Sequence, residues 1–144
     1  LKAAKLKTEG ADVVVDTSRD DALKIIRDAT RGEGVDFAVE YTGASDLIRL
    51  CIDSLRLGGS FVPVGGEMAP LPLRVIDFVS KELNVLGIRS ATRNDQRIVA
   101  ELVAKRSLRM PIGAMFPLSK VADAHELLQS SPDMVGRIVL HPWA

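Results

Sequence analysis

Hydrophobic positions gather into four short runs along the chain, and stretches of helical period separate them. The runs are DVVVD (Asp12–Asp16), VDFAVEYTG (Val35–Gly43), GSFVPVGG (Gly59–Gly66) and LNVLGIRS (Leu83–Ser90). Strand-length runs that alternate with amphipathic helices predict an α/β fold, a parallel sheet with crossover helices. Val13–Val15 is apolar throughout, as a strand covered on both faces must be. In the second run Phe37, Val39 and Tyr41 alternate with Ala38 and Glu40. The third strand centres on Phe61–Val64 and the fourth on Leu83–Ile88.

Between the runs, helical spacing is legible. Ser18 or Asp20 supplies an N-cap for a helix that keeps Ala22, Ile25, Ile26 and Ala29 on one face, and RGEG (Arg31–Gly34) ends it. Ser45 or Asp46 opens a helix striped with Leu47, Ile48, Cys51, Ile52 and Leu55, which Gly58 and Gly59 stop. EMAPLPLRVIDFVSKE (Glu67–Glu82) carries two prolines and then a helical segment around Arg74–Lys81. Asp95–Arg106 reads as a helix with Ile98, Val99, Leu102 and Val103 inward.

Beyond Ser107–Pro111 the rhythm changes. MPIGAMFPLS (Met110–Ser119) is extended and broken by proline. Ser119 caps a helix carrying Val121, Ala124, Leu127 and Leu128, SSPD (Ser130–Asp133) is a turn, and GRIVLHP (Gly136–Pro142) is a closing strand. At the other end, LKAAKLKTEG (Leu1–Gly10) reads as the last two turns of an amphipathic helix with Gly10 at C′. A chain that opens inside a helix is expected to be a piece of something longer.

Composition narrows the function classes. With 144 residues and 47% hydrophobic, the chain is long and apolar enough for a packed core. Nineteen basic residues balance nineteen acidic ones, which argues against nucleic acid and against an anionic membrane as partners. The single cysteine, Cys51, permits no internal disulfide and suits a reducing, cytoplasmic compartment.

Candidate chemistry sits where strands end. Thr42–Gly43, Val64–Gly66 and Ile88–Ser90 close the second, third and fourth strands, and in a parallel sheet all three ends share one rim. Ligands of open α/β sheets bind at that rim. Glycine there lets a ligand touch backbone, and free amides and carbonyls suit a carboxamide or a ribose. The alternative is that glycine simply ends strands and begins turns. Arg137 either snorkels to solvent beside an apolar strand or places its guanidinium on a pyrophosphate. Glu40 either faces solvent at a strand end or holds a helix or a ribose by hydrogen bonds; a catalytic carboxylate would need a partner, and none is suggested nearby. His125, His141 and Cys51 have no metal-ligand spacing, and Cys51 falls on the apolar face of its helix as a core thiol. No glycine-rich phosphate loop occurs anywhere in the chain.

Taken in order, EGADVVVD, GEGVDFAVEYTG, LRLGGSFVPVGG, ELNVLGIRSATRND, FPLSKVADAHELLQS and GRIVLHP resemble the C-terminal part of the medium-chain dehydrogenase/reductase family, the group that contains the zinc alcohol dehydrogenases. The resemblance covers almost the whole chain. It implies a partial Rossmann-like parallel sheet. Residues 1–107 would be a dinucleotide-binding domain without its first two strands, and residues 108–144 a segment that returns to a catalytic domain. It further implies NAD or NADP as cofactor of the parent protein, hydride transfer between an alcohol or aldehyde and nicotinamide, and zinc held by residues outside this chain.

By position, Tyr41, Thr42 and Gly43 look like the turn that meets the cofactor ribose. Val64, Gly65 and Gly66 are similar to the segment on the nicotinamide ring, Ile88 and Ser90 to the backbone contacts for the carboxamide, and Arg137 to the arginine that reaches the pyrophosphate. Leu83–Ser90 resembles the edge strand through which family members pair into a homodimer or a higher oligomer. Lacking the GxGxxG loop and its helix N-terminus, the chain by itself is expected to bind cofactor weakly or not at all and to be inactive. A zinc-free quinone-reductase type of the same family is the nearest alternative. A non-catalytic assembly module is another. The segment DSLRLGGSFVPVG also resembles the late strand of an S-adenosylmethionine methyltransferase, although the closing GRIVL segment favours the dehydrogenase.

Overall fold

In the computed structural model, which describes residues 2–66, 73–132 and 134–143, the chain packs as two compact units, residues 15–90 and residues 1–14 with 91–144. The first unit holds helix α2 (Ala22–Ala29), strand β1 (Val35–Glu40), helix α3 (Ser45–Ser54), strand β2 (Leu55–Pro63), helix α4 (Val75–Val79) and strand β3 (Asn84–Val85). Its three strands form one sheet in the order β1-β2-β3, parallel throughout. The expected parallel sheet with crossover helices is therefore present, with α3 and α4 as the connections.

The core of this unit lies between α3 and one face of the sheet. Ala38, Ile48, Ile52, Leu55 and Phe61 are buried together, and Val35, Cys51, Leu73 and Leu83 pack against them. The alternation in β1 is present, yet its sense follows residue size. Small Ala38 and acidic Glu40 face inward, whereas Phe37 is 65% exposed and Val39 is exposed beside it. Among the described residues of this unit, helices cover only one face of the sheet. Parallel sheets are ordinarily covered on both.

Several elements depart from expectation. The run Asp12–Asp16 forms no strand: no described strand pairs with it, and Val13 is exposed. An apolar run becomes a strand only with a partner for its ladder. Asp21, rather than Ser18 or Asp20, caps α2, its carboxylate accepting from the Lys24 amide at 3.1 Å. Gly58 and Gly59 do not stop α3. The helix ends at Ser54 and β2 begins at once, with the glycines inside the strand where its register to β1 shifts between Val35↔Leu55 and Phe37↔Ser60. Lys81 Nζ terminates the helix instead, donating to the carbonyls of Ile52, Asp53 and Leu55 at 2.9, 2.9 and 3.0 Å. The fourth strand is reduced to Asn84–Val85, with one further bond from Leu86 N to Phe61 O at 2.9 Å.

The second unit holds α1 (Lys2–Thr8), α5 (Arg93–Ala104), β4 (Ile112–Pro117), a short 3₁₀ turn (Leu118–Lys120), α6 (Val121–Ser130) and β5 (Arg137–His141). β4 and β5 pair in parallel, with α6 as the crossover. Gly10 ends α1 at φ +109°, as its C′ position requires. Helix α5 is capped by Thr92, but its apolar stripe is not inward: Ile98, Val99, Leu102 and Val103 are all exposed, and none of its residues is buried. The proline-bearing stretch after Gly66, and Asp133 of the SSPD turn, lie outside the described residues.

Candidate functional site

Because the three strands of the first unit run parallel, their carboxyl ends lie on one margin of the sheet. The turn after β1, Tyr41–Gly43, meets the turn after β2, Val64–Gly66, in direct backbone contact. A Cβ added to Gly65 would lie 2.3 Å from Gly43 N and 2.7 Å from the carbonyl carbons of Thr42 and Tyr41. Real Cβ atoms do not come so close, so only glycine permits the two turns to touch. Gly43 itself is buried at φ +80°, the left-handed region that glycine adopts freely.

Glu40 builds this contact. Its residue is 3% exposed. Its carboxylate accepts from the amides of Thr42 (2.6 Å) and Gly43 (2.8 Å) and from the Thr42 hydroxyl. Its backbone carbonyl accepts from the amides of Val64 (2.7 Å) and Gly65 (3.0 Å). Ala44 N–H donates to the Thr42 hydroxyl oxygen at 3.1 Å. One residue at the end of β1 thus holds both turns, the first through its side chain and the second through its main chain. Burial raises the Glu40 carboxyl, but the three donors of the turn outweigh it and hold the group below its ordinary value. Of the roles left open for Glu40, facing solvent is not what is seen: its carboxylate is buried and holds a turn. An acid two residues before a threonine at a strand end was the available signal.

Ile88 and Ser90 follow the carboxyl end of β3. The backbone leaves the ladder after Leu86, and Ser90 adopts φ +58°. Both residues are exposed, as are Tyr41 (73%) and Thr42. Left-handed backbone at a non-glycine residue is uncommon and concentrates at functional turns. At the first two turns only Tyr41 and Gly66 keep the free amides anticipated for the rim, among the described residues. The amides of Thr42, Gly43, Ala44, Val64 and Gly65 are all taken up internally. The carbonyls of Tyr41, Thr42 and Gly43 receive no hydrogen bond among the described residues.

Arg137 belongs to the second unit. It opens β5, exposed, with its amide bonded to Pro111 O at 2.9 Å. The adjoining Gly136 has φ +105°, and a Cβ there would lie 2.4 Å from Pro111 O, so this entry to the strand also requires glycine. Cys51 packs against the core; burial, then the charge of Glu40, push its thiol up, away from the reactive thiolate. No three His, Cys, Asp or Glu side chains gather into a metal site among the described residues. None of its described helices is long and apolar enough to cross a membrane.

Comparison with known proteins gives the family. Residues 1–105 match the family described as zinc-binding dehydrogenase. The chain is 28% identical over 146 residues to a D-arabitol-phosphate dehydrogenase of Enterococcus avium, covering 98% of this chain and 41% of that protein. It is 31% identical over 137 residues to a quinone oxidoreductase of Lama guanicoe, covering 91% of this chain and 41% of that one. The crystal structure of the alcohol dehydrogenase of the archaeon Aeropyrum pernix superposes with a TM-score of 0.84 at 26% identity, covering 97% of this chain and 40% of that one. The chain therefore spans about two fifths of the length of the relatives it matches. Its parallel β1-β2-β3 sheet, the ordered motifs along its length and the family match over residues 1–105 agree: the chain belongs to the zinc-binding dehydrogenase family of alcohol dehydrogenases and quinone oxidoreductases.

Proposed function

We propose that the rim formed by Tyr41–Gly43, Val64–Gly66, Ile88 and Ser90 is half of a cradle for the nicotinamide nucleotide of NAD or NADP, in a protein that moves hydride between an alcohol or aldehyde and that cofactor. The observation that carries this reading is the backbone contact at Gly65, where any side chain would separate the two turns. A flat ring needs a smooth floor, and two glycine-bearing turns in contact supply one. The nicotinamide supplies the hydride chemistry. What this chain's residues do is orient it: the carbonyls of exposed Tyr41 and Thr42 accept from ribose hydroxyls, Val64–Gly66 lies under the ring, and the backbone of Ile88 and Ser90 receives the carboxamide. Arg137 reaches the pyrophosphate in the whole protein.

The substrate is a small molecule held mainly by residues outside this chain. Zinc, where the whole protein uses it, is bound outside it too, and no step is routed through a metal here. A quinone reductase is the second reading, favoured by the 31% identity to the Lama guanicoe protein. The edge segment Leu83–Ser90, of which Asn84–Val85 is strand β3, pairs with a second copy, since β3 ends the sheet with one side unpaired among the described residues.

Titration of NADH against the 144-residue chain tests the cradle, read by amide chemical shifts. Binding weaker than micromolar is expected, with shifts confined to the three turns. Micromolar affinity would show that this half alone suffices, and millimolar NADH that leaves the turns unmoved would remove the reading. Sedimentation equilibrium of the same sample bears on pairing. A dimer is expected, and a monomer at every concentration excludes it; a dimer with no NADH response would favour the assembly module.

A further inference from the structure

We propose that Glu40 is a specificity-determining residue of the rim: its buried carboxylate takes up the amide donors of the Thr42–Gly43 turn, so at that turn a ligand meets carbonyl acceptors beside a negative charge. Such a rim admits hydroxyl, amide and cationic groups and excludes anions. Phosphate-binding turns have the opposite polarity, with free amides pointing at the ligand. Here five amides of the two turns are spoken for: Thr42, Gly43 and Ala44 in the first, Val64 and Gly65 in the second. The carbonyls of Tyr41, Thr42 and Gly43 are left without donors among the described residues. No described lysine, arginine or histidine pairs with Glu40, so its charge is offset only by the turn's own donors. A charge removed from water acts on a neighbouring group with less screening than a surface charge does.

In one respect the inference rests on the cofactor reading: the oxidised nicotinamide ring is cationic, and an anionic rim holds it better than the neutral reduced ring. The polarity of the rim stands apart from that reading. Substituting Glu40→Gln keeps the shape, removes the charge and replaces one acceptor oxygen by a donor. That leaves either Gly43 N–H or the Thr42 donors without an acceptor, free to meet an anion.

The test follows the amide shifts of Thr42, Gly43 and Gly65 in the isotope-labelled chain with two probes, nicotinamide riboside as a cation without phosphate and acetate as a plain anion. The unaltered chain is expected to respond to the riboside and to ignore acetate. In the Glu40→Gln chain riboside binding falls by about tenfold, the scale of one nearby unit charge lost from a partly screened site, and acetate now shifts Gly43. A riboside that binds neither chain, with acetate bound only by the variant, leaves Glu40 as the selector and removes the cofactor reading. Acetate ignored by the variant, or bound by the unaltered chain, overturns the inference whatever the riboside does. Should Glu40→Gln fail to fold, Thr42→Val decides. It removes the hydroxyl and so frees the Ala44 amide that donates to it, but keeps the carboxylate, so acetate must still be excluded; acetate binding to that chain would show that a freed turn amide, not the charge of Glu40, does the selecting.

Discussion

Gly65 and Glu40 hold the rim together by opposite means, one through the absence of a side chain and the other through the reach of one. The absence can be tested directly. Gly65→Ala puts a methyl group 2.3 Å from Gly43 N. Backbone cannot yield as a flexible side chain does, so the two turns must part. Overpacking of this kind costs about 1–3 kcal/mol, and chemical denaturation should show a loss in that range. The same change should abolish the NADH-dependent shifts at Thr42 and Gly43, while the helix signals of the other unit stay in place. A variant as stable as the original would mean that the turns are not in contact. The strand-end glycines were visible in the sequence. That each of these two turns lies against the other was not, because 22 positions separate Gly43 from Gly65 and nothing local fixes their distance.

At the level of elements, helical period was the dependable signal, and capping residues and endpoints were not. Helix α3 ends four residues before Gly58 because Lys81, from beyond α4, reaches its last carbonyls. Orphan carbonyls need a donor, and a cation at a helix C-terminus also meets the favourable end of the helix dipole. Burial, the largest influence on Lys81, lowers its pKa, as desolvation of an ammonium must. Lys81→Met keeps the aliphatic stem and removes all three bonds. Hydrogen bonds to a charged group contribute about 1.5–3 kcal/mol, so a fall in thermal midpoint is expected, with faster amide exchange at Cys51–Leu55. No change in exchange there would assign the helix end to another cause. Period alone also could not say which stripe is covered. Helix α5 has its expected apolar face, and every residue of that face is exposed.

For the whole molecule, acid is the sharpest probe, because the carboxylates that tie the first unit together are those held in the charged form. Asp77 accepts from the Arg74 amide at 2.8 Å and from its guanidinium at 3.2 Å, and the Arg49 guanidinium stands 3.1 Å away, linking α3 to α4. The bond from the Arg74 amide, then that from its side chain, lowers the carboxyl from 3.8 to about 2. Glu40 is lowered as well, from 4.5. A folded pKa below the unfolded one gives stability that is complete above the unfolded value and lost as pH falls through the folded one. Unfolding midpoints should therefore hold steady above pH 5 and decline as the pH drops below 4.5, with the contribution of Asp77 fading between 3.8 and about 2. Asp77→Asn should flatten the lower part of that curve. A midpoint that rises on acidification would contradict both assignments.

What the sequence by itself determined is the class of fold and the family: strand-length runs alternating with helices demand a parallel sheet, and parallel strands put their carboxyl ends on one margin whatever the details. Tertiary structure decided the rest. It left Asp12–Asp16 without a ladder, put Ala38 and Glu40 inward and Phe37 outward, and turned an acid in an apolar strand into the holder of two turns. The physical reason is common to all three. A run of apolar residues or a buried charge states a need for partners, but the partners come from distant parts of the chain, and only packing shows whether and where they arrive.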